Sequence, residues 1–423
     1  MNTILKYLCL LSIFLVFCTN REQKNPLDPQ NPDTGGKPVG LKIYSEYDKI
    51  TLSWRAVDVN GLVGYNVYRK ISSDTGFTLI HLTPAGSTEF YDCNATYDLK
   101  YTYIISALTS SYESLKSDSV SITPGATIIW ATDVDNRRII KITHDGIHEI
   151  SRMSVDGYPW DIAINHRDGS YWFSDILWGE INYIINNKLK RYTSPTEWWK
   201  PVDIELDVER EILWVADEQG KIIRISPAVG DSLQEISCQN FISPYSVSVV
   251  KQSGKCWVAD PMSKNVFTIS HDGKIISISP VQFVRPCAVV VNQSDGNCWV
   301  ADSTSIIKLS SDGYLSFSIT ADFQYAYTLD INKNTGELWV VDLGLELNGS
   351  RVLKFDEQGN KLLEVSGFNY SRKIAVNLCD NGCVVVDTGN GRIVRLSSLG
   401  EILGEIGGYY YPRGLAIEYD ENW

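Results

Sequence analysis

From about residue 127 onward, short runs of alternating apolar and polar residues follow one another, separated by Gly, Asn, Asp and Pro. Runs with this period-two pattern, rich in Val and Ile, predict half-buried antiparallel strands. One run recurs almost unchanged: Trp130-Ala-Thr-Asp133, Trp172-Phe-Ser-Asp175, Trp214-Val-Ala-Asp217, Trp257-Val-Ala-Asp260, Trp299-Val-Ala-Asp302, Trp339-Val-Val-Asp342 and Val384-Val-Val-Asp387, its aspartates 40 to 45 residues apart. Each repeat has the same internal order. A stretch such as Pro201-Val-Asp-Ile-Glu-Leu206 comes first, and a polar turn leads to the Trp run. A third run such as Lys221-Ile-Ile-Arg-Ile-Ser226 follows, then a turn such as Ser311-Asp-Gly313 and a fourth run. One repeat is therefore a four-stranded meander.

A repeat of this length predicts a β-propeller with one blade per repeat. The first repeat starts at its second strand, Ile128 to Asp133, and the chain ends just after an innermost strand, Pro412 to Glu418. Pairing these two gives an all-β fold, a seven-bladed β-propeller of four-stranded blades over residues 126–423, its first blade closed by the C-terminal strand. Closure leaves no exposed sheet edge.

The last repeat carries the clearest family likeness: Val386-Asp-Thr-Gly-Asn-Gly-Arg-Ile-Val-Arg-Leu396, then Gly400, Gly407-Gly408 and Pro412-Arg-Gly-Leu-Ala416. It resembles the NHL repeat family. Ala326 and Ser371 replace the proline in two repeats. NHL propellers are usually six-bladed, so seven departs from the common form.

Residues 38–124 read as a separate β-sandwich. Ile50-Thr-Leu-Ser-Trp54, Gly64-Tyr-Asn-Val-Tyr-Arg-Lys70 and Tyr101-Thr-Tyr-Ile-Ile-Ser-Ala107 resemble a fibronectin type III domain, with Tyr101 in the place of a tyrosine corner. Such a domain serves most simply as a spacer. Residues 1–18 read as an export signal: Ile4 to Cys18 is almost wholly apolar apart from Lys6, and too short to span a bilayer comfortably. Leu15-Val-Phe-Cys18 resembles a bacterial lipobox, which makes Cys18 a lipidation site, although Phe17 stands where a small residue is usual. Residues 19–37, poor in apolar side chains, read as a flexible tether. The expected location is the outer membrane or cell surface, or the periplasm or medium if Cys18 is not lipidated.

A net charge of −13 argues against a nucleic-acid partner, which needs clustered Lys and Arg. Cys256, Cys298 and Cys383 share one position of the repeat and read as small buried hydrophobes, while Cys379 and Cys383 could bridge a hairpin.

The repeated aspartates are too many to be catalytic. They read as acceptors for backbone N–H groups in the neighbouring loops. The connections into the innermost strands do differ between repeats, and in a propeller they share one face. They supply Tyr158, Trp160, Trp198, Trp199, Lys200 and Tyr245. Further round come Arg285, Tyr327, Arg372, Tyr411 and Arg413. Aromatic rings interspersed with Arg are the composition of a binding surface, here for a protein, peptide or glycan of the cell envelope. The alternative is a propeller lyase or hydrolase with Ca²⁺ in the central channel, held by Asp161, Asp203, Glu205 and Asp330. No histidine stands where a general base would be needed, so no catalytic residue is assigned and the non-enzymatic reading is preferred.

Overall fold

The computed structural model describes residues 25–194, 198–227, 232–344 and 349–420. They are almost entirely β: the sole helical element among them is the single 3-10 turn Thr388–Asn390. No helix among the described residues is long and apolar enough to cross a membrane. Cys18 and the export segment lie outside the described residues. The chain divides into two compact units, Met1–Pro124 and Gly125–Trp423.

The first unit pairs a three-stranded sheet (Lys42–Glu46, Lys49–Ser53, Glu89–Asp92) with a four-stranded one (Thr78–Pro84, Leu62–Ile71, Tyr101–Thr109, Val120–Ile122). The alternating positions Ile50, Leu52 and Trp54 point inward with Tyr65, Val67 and Tyr103, and the Trp54 and Tyr65 rings meet edge to face at 5.3 Å. Tyr101 Oη accepts a hydrogen bond from the backbone N–H of Thr96, 2.9 Å away. The tether expected over residues 19–37 is ordered in its described part. Asn25, Asp28 and Asn31 each accept a backbone N–H two residues on, a succession of Asx turns, and Leu27 is buried in the same core as Trp54. One apolar side chain, seated in a pocket, outweighs the polar composition around it.

The second unit contains, among its described residues, seven four-stranded antiparallel sheets. The strand Pro412–Tyr419 pairs with Thr127–Asp133 and completes the first sheet, as the repeat pattern predicts. The innermost strands touch in cyclic order: Pro159–Asn165, Pro201–Asp207, Ser246–Val250, Pro286–Val291, Ala326–Ile331, Lys373–Asn377, then Pro412–Tyr419 and back to the first. The sheets thus form a closed ring around a central channel. Between sheets the core is Val, Ile and the repeated indoles, which are buried. Lys141, Lys308 and Lys354, each cross-strand from a Trp, lay their ammonium groups over Trp130, Trp299 and Trp339. All seven described cysteines are free thiols, so Cys379 and Cys383 do not bridge.

Candidate functional site

The aspartate closing each Trp run is fully buried and works as the repeat suggested. Asp260 accepts backbone N–H bonds from Ile242 and Ser243, in the connection arriving from the previous sheet, and from Met262 and Ser263 in its own turn. Asp175 does the same for Tyr158, Leu177 and Trp178. Gly157, at φ +130°, is required beside it, because a Cβ there would lie 1.7 Å from the Asp175 carboxylate. Asp133, Asp342 and Asp387 add an arginine each: Arg138, Arg351 and Arg392. Among the described residues, Asp302 and Asp342 accept backbone N–H bonds from the arriving connection alone, through Val284 and Arg285 and through Gln324 and Tyr325, whereas Asp175, Asp217 and Asp260 fasten that connection to their own turn.

That same end carries the channel mouth. Pro159, Pro201, Pro286 and Pro412 pair with the aspartates of the adjacent strand, and a bulge follows immediately in each. Proline suits the first strand position, where no ladder N–H is needed, and the bulge turns the next side chain toward the axis. The outermost level of the mouth is Trp160, Val202, Tyr245, Cys287, Tyr327, Arg372 and Arg413, one from each sheet, around a cavity of about 50 Å³. Tyr245 and Tyr327 share a hydroxyl–hydroxyl bond of 2.6 Å. Arg372 donates to Tyr327 at 2.9 Å and Arg413 to Tyr245 at 3.4 Å. The Arg413 guanidinium also lies over the Trp160 ring, 3.8 Å from its centre. Although burial opposes it, the nearby Arg413 and Arg372 hold the Tyr327 hydroxyl below its usual range.

One level deeper stands Lys373, which sequence reasoning missed. Its Nζ lies 3.0 Å from Asp161 Oδ2 and 2.5 Å from Asp203 Oδ1. Despite burial, the two carboxylates push the ammonium well above the usual lysine range. Burial raises Asp161 to about 7, with Lys373 pulling against it and Asp203 adding to the rise. The four carboxylates proposed as metal ligands do not converge on an ion. Each is taken up by the next innermost strand: Asp161 accepts from Ile204 N–H, Asp203 from Val247 and Asp330 from Val376. Glu205, screened by the channel wall yet open to the channel along one side, is raised to about 7 by burial, against bonding from Val249. Among the described residues no cluster of three or more His, Cys, Asp or Glu could hold a metal. The cation between Asp161 and Asp203 is the protein's own.

The other predicted face residues separate. Trp199 is fully buried, its indole N–H donating to Glu235 across 2.9 Å, whereas its neighbour Trp198 is 55% exposed. Trp199 is thus a core residue. Tyr158 stacks with Arg137, Lys200 pairs with Glu218, and Arg285 covers the Tyr325 ring. Tyr411 approaches Trp160, their ring centres 6.3 Å apart. None of these four lines the channel mouth. Missed by the sequence reading is a set of exposed apolar side chains in the loops at the aspartate end: Leu177, Trp178, Ile242, Met262 and Val284. The Trp178 turn lies against Trp198, since a Cβ on Gly179 would sit 3.1 Å from the Trp198 ring. These loops sit outside the strand periodicity, and a lone Met or Ile in a turn looks like any other loop residue.

Solved structures share this architecture. A functionally unknown protein from Desulfotomaculum acetoxidans DSM 771 superposes with a TM-score of 0.57 at 13% identity, covering 70% of this chain and 99% of its own. The second unit is a β-propeller. A streptogramin B lyase gives a TM-score of 0.53 at 16% identity over 68% of this chain and 91% of its own. Catalytically inactive virginiamycin B lyase from Staphylococcus aureus with quinupristin gives 0.55 at 17%, over 69% and 96%. At such identities the likeness conveys fold and not activity. Neither a scan against protein-family models nor a search of curated proteins finds a match.

Proposed function

We propose that this chain is an exported, membrane-tethered, non-enzymatic binding protein. In this reading the propeller is seven-bladed and NHL-like, and a fibronectin type III-like domain and a lipid on Cys18 hold it at the cell surface. Its partner is a protein, peptide or glycan of the cell envelope, docked on the face that carries the aspartate-fastened loops. The observation that carries the reading is the arc of exposed large apolar side chains there, with Leu177, Trp178 and Trp198 adjoining and Ile242, Met262 and Val284 in the following connections and turns. Exposed apolar groups that cluster on one face, rather than scatter singly, mark interaction sites. The Thr96–Tyr101 bond supports the fibronectin-like assignment, since a tyrosine hydroxyl tied to backbone upstream is a feature of such sandwiches.

The alternative, a lyase or hydrolase with a carboxylate-bound metal, would have to displace Lys373 from Asp161 and Asp203. Crosslinked capture from native envelopes tests the binding reading, using the full chain and its Trp198→Ala variant as baits. A component enriched by the wild type and lost with the variant is the expected result. Identical capture by both baits would remove the apolar arc from the function.

A further inference from the structure

The channel mouth holds a chemical imbalance that the apolar arc does not explain. Arg372 and Arg413 sit there side by side, linked through the Tyr245–Tyr327 hydroxyl pair. Each guanidinium has neutral partners only: a tyrosine hydroxyl and the aromatic rings of Tyr370 and Trp160. Among the described residues no carboxylate pairs with either, whereas Arg138, Arg351 and Arg392 on the same propeller all have one. Arg413 is 92% buried by its 8% residual exposure, and the Nε of Arg372 and the indole nitrogen of Trp160 are buried donors without an acceptor. Buried charges are ordinarily paired, and buried donors ordinarily bonded. Both residues line the same axial cavity.

We propose that this cavity is a recognition site for a carboxylate, gripped by Arg372 and Arg413 with the Tyr245 and Tyr327 hydroxyls at its side. Its size is right: a water needs ~10–15 Å³ of such space, so about 50 Å³ accepts a small oxyanion head group and little more. The charge selects a monoanion. Two guanidinium groups face the cavity, while above pH 7, where Asp161 is ionised, Asp161, Asp203 and Lys373 immediately below carry a net single negative charge. One carboxylate neutralises the remainder, and a phosphate or sulfate dianion would be repelled by the aspartates. The site goes beyond the docking surface: it names a charged group, such as that of an acidic sugar or a peptide C-terminus, and it can fail independently of the apolar arc.

Calorimetric titration of the full chain with acetate, glucuronate, N-acetylglycine, glucose, sulfate and phosphate at constant ionic strength tests it. Saturable binding of acetate, glucuronate and N-acetylglycine is expected, with none for glucose and weaker binding for the dianions. A preference for glucuronate points to an acidic glycan, and one for N-acetylglycine to a peptide terminus. Arg372→Gln and Arg413→Gln should each weaken the tighter ligand by about tenfold or more, the loss of one charge-assisted contact. Because Arg413 is buried, Arg372→Gln at the rim, with an unchanged melting temperature, decides the matter if the other variant does not fold. Absence of saturable carboxylate binding, tighter binding of sulfate or phosphate, or binding indifferent to Arg372→Gln would each overturn the proposal.

Discussion

Lys373 and Asp161 are 212 positions apart in the chain, yet their side chains meet at 3.0 Å across the channel. With Asp203 they form a triad in which one half-buried ammonium restrains two buried carboxylates. Removing one partner of a buried ion pair costs more than the pair itself contributes, because the other partner is left charged and unsolvated.

Lys373→Met should therefore destabilise the propeller by about 3–5 kcal/mol at pH 8. The deficit should shrink at pH 5. Asp161 is already raised to about 7 with the lysine present, so without it the folded state takes up a proton that the unfolded chain, near the ordinary carboxylate value, does not. Folding then gains stability as pH falls. Urea denaturation at both pH values checks this, and equal deficits would rule out like-charge repulsion as the cause.

His144 gives the opposite sign. It is buried between Thr127 and Arg395, and burial, with Arg395 adding to it, holds its pKa down at about 3. Below its unfolded value the unfolded chain binds a proton that the folded one refuses. The stability present above about pH 6.5 is therefore lost progressively as pH falls toward 3. His144→Gln should flatten the stability–pH slope between pH 6.5 and 4 by about one proton. Its measure is the denaturation free energy at several pH values, and an unchanged slope would refute the assignment.

Asp260 bonds four backbone N–H groups in two loops. Asp260→Ala leaves those donors without an acceptor, at about 1–3 kcal/mol for each that stays dry. A loss of roughly 3 kcal/mol or more is expected, with amide exchange accelerated in both the Phe241–Tyr245 connection and the turn after residue 260. Exchange confined to one loop would show that the carboxylate does not fasten the two together.

Trp198 and Trp199 separate surface from core. Trp199→Ala empties a buried indole site and should cost about 3–5 kcal/mol. Trp198→Ala should leave the melting temperature within about a degree, as surface substitutions do, while weakening envelope capture. Substituting the two together would confuse misfolding with lost binding.

The Trp-x-x-Asp repeat made the sheets, their order and the closing strand readable, because packing between neighbours imposes the same residues at every turn of the ring. Positions where the repeat breaks drew attention to Trp160, Tyr245, Tyr327, Arg372 and Arg413, which the fold gathers at the channel mouth. Lys373 drew none, since it follows Ser371 in a repeat whose proline is missing, and the neighbour that explains it lies in another sheet. Trp199 misled for the converse reason. Two adjacent tryptophans look alike in a sequence, and only the fold decides that one faces Glu235 and the other water. Leu27 shows the limit of composition, since a polar stretch is ordered once one of its side chains is seated in a core.

The pairing of Pro412–Tyr419 with Thr127–Asp133 has a consequence in time. Trp130 and Glu418, hydrogen-bonded in the finished sheet, are made 288 residues apart. At ribosomal rates of about 5–20 residues per second, the first strand waits on the order of 15–60 seconds for its partner. Until then the ring cannot shut, and Thr127–Asp133 offers a bare edge. A chain cut short anywhere before Pro412 keeps that edge open to stray strand pairing and to proteases. Pairing of this strand is therefore the step that locks the ring.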